Sequence, residues 1–121
     1  MADLIRRSFD SPDDLRDFPR MKGAIVGLGG VKAWRLIAEP GWRWSESVGP
    51  TMEKDVCPLD HVFWMVLKGR FAVQMEDGTT EEFGPGDVGR VPPGHDAWVV
   101  GDEPVVGIDI QAGGIDKDAI S

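Results

Sequence analysis

The stretch EFGPGDVGRVPPGHDAWVVGDEP, from Glu82 to Pro104, holds two short strands between three turns. Gly84-Pro85-Gly86-Asp87 turns, Val88–Val91 runs, Pro92-Pro93-Gly94 turns, Asp96–Val100 runs, and Asp102-Glu103-Pro104 turns again. Glycine and proline in such clusters punctuate strands, whereas helices need longer uninterrupted periodicity. The same rhythm extends both ways. Upstream, Phe71–Glu76 and Thr79–Phe83 flank Asp77-Gly78, a two-residue hairpin signal. His61–Lys68 (HVFWMVLK) is rich in aromatic and β-branched residues and stops at Gly69. Downstream, Val105–Ile110 closes the series. Nearer the N-terminus, Gly23–Leu28 and Val31–Ala38 are separated by Gly29-Gly30, and Glu39-Pro40-Gly41 and Gly49-Pro50 break the chain. This spacing predicts an all-β antiparallel sandwich or barrel.

One short helix is expected ahead of the strands. Ser11 can cap free N–H groups, Pro12 suits a first helical position, and Asp13 and Asp14 favour the positive end of the dipole. Leu15 and Phe18 would share a face, and Pro19 would end the turn. The expected organisation is an N-terminal arm with this helix (1–22), a β-barrel (23–112) and a polar tail (113–121). Gly27-Leu28-Gly29-Gly30 hints at a dinucleotide loop, but Lys32 stands where the third glycine belongs and no helix pattern follows.

The 121 residues suit a single domain, and 16 glycines with 9 prolines agree with many turns. A net charge of −8 argues against binding a nucleic-acid backbone or an anionic membrane surface. No apolar run reaches the roughly 20 residues of a membrane span, and the N-terminus lacks a signal-peptide pattern. Cys57 is the only cysteine, so no internal disulfide can form, and a cytoplasmic location is expected.

Residues 41–110 resemble the cupins, small jelly-roll barrels with two sequence blocks. The first block, G-x5-H-x-H-x4-E-x6-G, falls on Gly49, Asp55, Cys57, Val62 and Gly69; the second, G-x5-P-x-G-x2-H-x3-N, falls on Gly86, Pro92, Gly94, Ala97 and Gly101. The glycines and the proline match, which implies an antiparallel jelly-roll β-barrel and, as small cupins usually pair, a homodimer. The four positions that hold a divalent metal in a standard cupin carry Asp55, Cys57, Val62 and Ala97 here, and two of these cannot bind an ion.

Both histidines of the chain lie beside the vacated positions. His95 shares strand parity with Ala97 and can point where the usual ligand would. His61 has the opposite parity to Val62 and reaches the interior only if a bulge shifts the register. A relocated site of Cys57, His61 and His95, with Asp55 as a fourth ligand, would suit zinc best among zinc, iron, nickel and manganese. The alternative makes Cys57 a small buried hydrophobe, His95 a turn residue bonded to backbone, His61 an outer-face residue and Asp55 a solvated acid. Trp64 is the first candidate for a pocket wall, joined by Val62, Ala97, Val99 and Phe71. Arg90 could grip a substrate carboxylate if its face is interior.

Two functions are expected from this set. One is a metal-assisted enzyme of isomerase, lyase or oxygenase type acting on a small molecule in the barrel mouth. The other is a non-catalytic module that holds a small molecule in an apolar, metal-free pocket.

Overall fold

The computed structural model describes residues 4–111. The polar tail expected at 113–121 lies outside these residues. Nine strands and two single-turn helices follow in the order β1 (Asp14–Phe18), β2 (Met21–Gly27), β3 (Lys32–Ala38), α1 (Trp44–Ser47), α2 (Gly49–Met52), β4 (His61–Lys68), β5 (Arg70–Met75), β6 (Thr80–Phe83), β7 (Val88–Val91), β8 (His95–Val100) and β9 (Val105–Gln111). Six strands form one antiparallel sheet in the order β1-β2-β3-β9-β4-β7, and three form a second in the order β6-β5-β8. The strands expected at His61–Lys68 and Val88–Val91 have those bounds, and the other expected strands shift by at most two residues. None of the described helices is long and apolar enough to cross a membrane.

The expected N-terminal helix is absent; Asp14–Phe18 is strand β1, and the helical turns sit at residues 44–52. The six residues enclosed by Pro12 and Pro19 make fewer than two helical turns, too few to repay helix nucleation. The open edge of β2 instead offers the backbone five paired positions, Asp14↔Ile25 to Phe18↔Met21. Asp13 locks the junction, because its carboxylate accepts the Gly27 N–H at 2.7 Å and its own N–H donates to the Ile25 carbonyl. Leu15 therefore points outward, 69% exposed, while Arg16 and Phe18 turn inward.

The core lies between the sheets. Trp64, Val66 and Val105 of the large sheet meet Phe71, Val73, Ala97 and Val99 of the small one. Phe71 joins the layers, with its ring 4.8 Å from that of Trp64 and 5.7 Å from that of Trp42. Trp64 lies so flat on β9 that a Cβ at Gly107 would fall 2.1 Å from its Cη2. That glycine is required for space, and the close approach lets one large ring cover the inner face of two strands.

One irregularity decides where the site forms. Along β4, His61 pairs with Gln111 but Phe63 already pairs with Ile110. On the other side His61 pairs with Val91 and Trp64 with Gly89, so β4 carries one extra residue in both ladders. This is a β-bulge. It brings His61 and Trp64, three residues apart, onto the same inner face.

Candidate metal centre

Three elements deliver the potential ligands. His61 starts β4, His95 starts β8, and Cys57 lies in the segment leading to β4. The backbone fixes Cys57 opposite His95 through two bonds, Cys57 N–H to the His95 carbonyl at 2.6 Å and Gly94 N–H to the Cys57 carbonyl at 2.8 Å. Gly94 reaches this position with φ 93°, which a side-chain-bearing residue rarely adopts. The Pro92-Pro93-Gly94 turn thus aims His95 at the cysteine. The ligand atoms of Cys57, His61 and His95 all lie within 4.8 Å of one another. Cys57 is 1% exposed and His95 4%.

Each imidazole is held from behind. His61 Nδ1 lies 2.8 Å from Asp109 Oδ2, and its Nε2 faces Cys57 Sγ at 3.6 Å. His95 Nδ1 lies 2.7 Å from the Pro92 carbonyl, to which it donates, so Nε2 is the nitrogen left for a ligand. Asp109 is itself held by Gln111, whose Nε2 donates to Oδ2 at 3.0 Å. A carboxylate or carbonyl behind each ring is the arrangement that orients metal-binding histidines.

The electrostatics agree with the geometry. Burial pushes the Cys57 thiol up, but His61 and His95 outweigh it and bring the thiol down to about 7. Burial likewise disfavours a charged His61, yet Asp109 and the Cys57 sulfur raise it to about 10. The two imidazoles thus favour the thiolate, and Asp109 and the sulfur favour a protonated His61.

The donor set fits an ion. With Zn–S near 2.3 Å and Zn–N near 2.0–2.1 Å, a tetrahedral centre sets an S···N edge of roughly 3.6 Å. The Cys57 Sγ to His61 Nε2 separation is 3.6 Å. Three protein ligands leave a fourth position for water or substrate.

The cluster lines a cavity of about 310 Å³ between the sheets. Trp64, Phe71 and Ala97 line it, together with Trp34, Trp42 and Trp44. The other sequence candidates are placed elsewhere. Asp55 is exposed and faces a separate hollow beside Glu76 and Asp96, so it is not brought to the cluster of Cys57, His61 and His95. Val62 sits at the bulge, half-buried and off the cavity wall, because the extra residue reverses its parity. Val99 is buried in the core without lining the cavity. Arg90 is turned to the surface, where its guanidinium pairs with Asp60 at 2.6 Å. Asp109 and Gln111, each 2% exposed, are the site residues that sequence reasoning missed. The available signal was two polar residues sharing one parity at the end of an otherwise apolar strand.

Asp109 gives a direct prediction. Asp109→Asn keeps the shape but removes the carboxylate behind His61. Metal affinity measured by competition with a chelator should fall about 10- to 100-fold, as for other lost second-layer partners. An unchanged affinity would remove Asp109 from the site.

No protein-family model matches the sequence, and no curated protein does either. Solved structures do match. The cupin domain of Schizosaccharomyces pombe Cnp3 superposes with a TM-score of 0.62 at 20% identity, over 89% of this chain and 68% of that one. The fold is a cupin fold. The cupin likeness extends to KdgF from Halomonas sp., with a TM-score of 0.60 at 22% identity over 89% of this chain and 93% of KdgF. It also includes the oxalate decarboxylase of Lactobacillus farciminis, solved as a formate complex, with a TM-score of 0.62 at 19% identity. There 82% of this chain is covered, but it spans only 30% of the decarboxylase. In this fold, the glycines and proline of the expected two-block pattern fall at the start of α2 (Gly49) and in the turns after β4 (Gly69), β6 (Gly86), β7 (Pro92 and Gly94) and β8 (Gly101).

Proposed function

We propose that this cupin is a metal-assisted enzyme that holds one divalent ion, zinc by preference, at Cys57, His61 and His95 and acts on a small molecule in the adjoining cavity. The carrying observation is the three-ligand cluster with both imidazoles already oriented, by Asp109 and by the Pro92 carbonyl. Thiolate with imidazoles suits a borderline-soft ion. When bound, the ion supplies Lewis acidity toward a substrate oxygen. The protein's own part is to bind and orient. Asp109 fixes the His61 tautomer, the aromatic walls exclude bulk water, and the cavity leaves the fourth ligand direction open. Isomerase and lyase chemistry fit such a site, and oxygen-dependent cleavage fits it less naturally, since iron oxygenase sites favour histidine and carboxylate ligands.

Elemental analysis of the purified protein tests this reading. About one equivalent of metal per chain, removed by chelator and restored on reconstitution, is the expected result. Cobalt in place of the native ion should show a thiolate charge-transfer band that Cys57→Ser lacks. Absence of any metal uptake would sink the proposal.

A second reading is supported by Ala97 and the apolar walls: a metal-free module that holds a small apolar ligand. The state of Cys57 separates the two. A thiolate ligand resists alkylation until chelator is added, whereas a metal-free pocket cysteine does not respond to chelator. A homodimer and a cytoplasmic location belong to the same proposal. Support for pairing comes from the large sheet's outer surface, where Ile37, Leu67 and Val88 are exposed.

A further inference from the structure

We infer that the cavity takes an aromatic carboxylate, a flat ring clasped between aromatic walls with its carboxylate at Arg16 and its far edge turned to Cys57, His61 and His95. This rests on the small-molecule reading above and narrows it to a ligand class.

Size comes first. A volume of about 310 Å³ equals that of about ten liquid waters, which suits a single ring with substituents. The walls come next. Six aromatic side chains, Phe18, Trp34, Trp42, Trp44, Trp64 and Phe71, line this one space. The indole nitrogens of Trp34, Trp42 and Trp64 are themselves buried out of reach, so these walls present mainly ring surface. A pyranose would leave hydroxyls unpaired there, and desolvating a hydroxyl without a partner is costly. An aromatic ring incurs no such penalty and gains offset or edge-to-face contacts.

Charge then sets the orientation. The buried Asp109 carboxylate stands at the end of the cavity that holds the cluster, and Gln111 beside it keeps an unpartnered Oε1. A ligand carboxylate is repelled there. Among the described residues, Arg16 is the one lysine or arginine that lines the cavity. It lies far from Asp109 on the same inner face: Arg16 pairs with Gly23, Gly23 with Leu36 and Leu36 with Gly107. Three strand spacings from β1 to β9 make about 14 Å along the curved sheet. Asp14 and the Leu15 carbonyl engage only Nη1 of Arg16. Its Nε and Nη2 remain for the planar, two-pronged contact that a carboxylate accepts.

Calorimetry and tryptophan fluorescence test the inference with benzoate and 4-hydroxybenzoate, against phenol and glucuronate. Each probe is titrated into zinc-loaded and into chelator-treated protein. The two aromatic acids should bind and quench, with phenol weaker and glucuronate weaker still. Arg16→Gln should weaken benzoate about ten-fold, the loss of one charge-assisted contact, and leave phenol unchanged. Leu36→Trp fills the cavity, and by calorimetry should abolish binding of both while a cooperative melt is retained. Glucuronate binding as tightly as benzoate, or an Arg16→Gln variant that still prefers benzoate over phenol, would overturn the inference. The two readings fail separately. Aromatic acids binding to a protein that takes up no metal would keep this inference and remove the metal. Metal uptake with no aromatic binding would do the reverse.

Discussion

Cys57→Ala and His95→Ala should each bring metal content from about one equivalent per chain to near zero and lower the melting temperature of the metal-loaded protein by roughly 10 °C. The magnitude follows from linkage. A ligand at 100 times its dissociation constant that binds only the folded state stabilises it by about 2.7 kcal/mol. For a domain of this size each kcal/mol moves the midpoint by about 4 °C. Both side chains are buried, so truncation also leaves a small void with a cost of its own. Chelator separates the contributions. In the wild type it should remove most of the roughly 10 °C, and in either variant it should change nothing, because the metal is already gone. A variant that keeps its metal and still responds to chelator would show that Cys57 or His95 is not a ligand.

The second large effect is expected at Gly107. An alanine Cβ there would lie 2.1 Å from Trp64 Cη2, 2.6 Å from its Cζ3 and 2.9 Å from its Cζ2. The ring can retreat only by giving up its packing on Phe71 at 4.8 Å and moving into the cavity it lines. Gly107→Ala should therefore cost about 3 kcal/mol, the upper part of the range for overpacked cores. The position has no unusual φ, so the cost is steric. Trp64→Leu is destabilising alone, as a large-to-small core change. Combined with Gly107→Ala it should show a coupling energy above about 1 kcal/mol, because the leucine no longer fills the space the new methyl needs. Equal cost of Gly107→Ala in both backgrounds, read from denaturant midpoints, would mean the contact with Trp64 is not the cause. Displacement of Trp64 should also disturb the cavity, so weaker ligand binding is expected alongside the lower stability.

Most of the strand order was legible in the sequence because turn residues mark strand ends through local backbone chemistry. Asp77-Gly78 and Pro92-Pro93-Gly94 specify turns whatever the rest of the chain does. The helix expected from Ser11-Pro12 failed for the complementary reason. Those residues are good helix starters, but a short segment takes whichever partner the tertiary structure offers, and β2 offered an open edge.

The site divides in the same way. Cys57, His61 and His95 were identifiable as the metal-binding residue types beside the two glycine-framed blocks. Parity along β8 also placed His95 and Ala97 on one face, as the buried alternation of that strand shows. Asp109 and Gln111 were hidden by their own strand. In VVGIDIQ, alternation by itself turns Val106, Ile108 and Ile110 inward, yet the buried residues are Val105, Gly107, Asp109 and Gln111. Trp64 covers Gly107, and Asp109 Oδ2 finds His61 and Gln111, so this face is interior although Asp109 Oδ1 and Gln111 Oε1 have no partner among the described residues.

The sequence by itself determined the turns, the order of eight of the nine described strands, and the residue types able to bind a metal. Each depends on local backbone preference or on a side chain's own chemistry. Only the tertiary structure decided which face of β9 is interior, that β4 bulges at Val62 so that His61 points in, and that Asp55 and Arg90 point away. Those outcomes are set by pairing register between strands distant in the chain. A one-residue shift in register reverses every side chain beyond it, and no local signal records where that shift occurs.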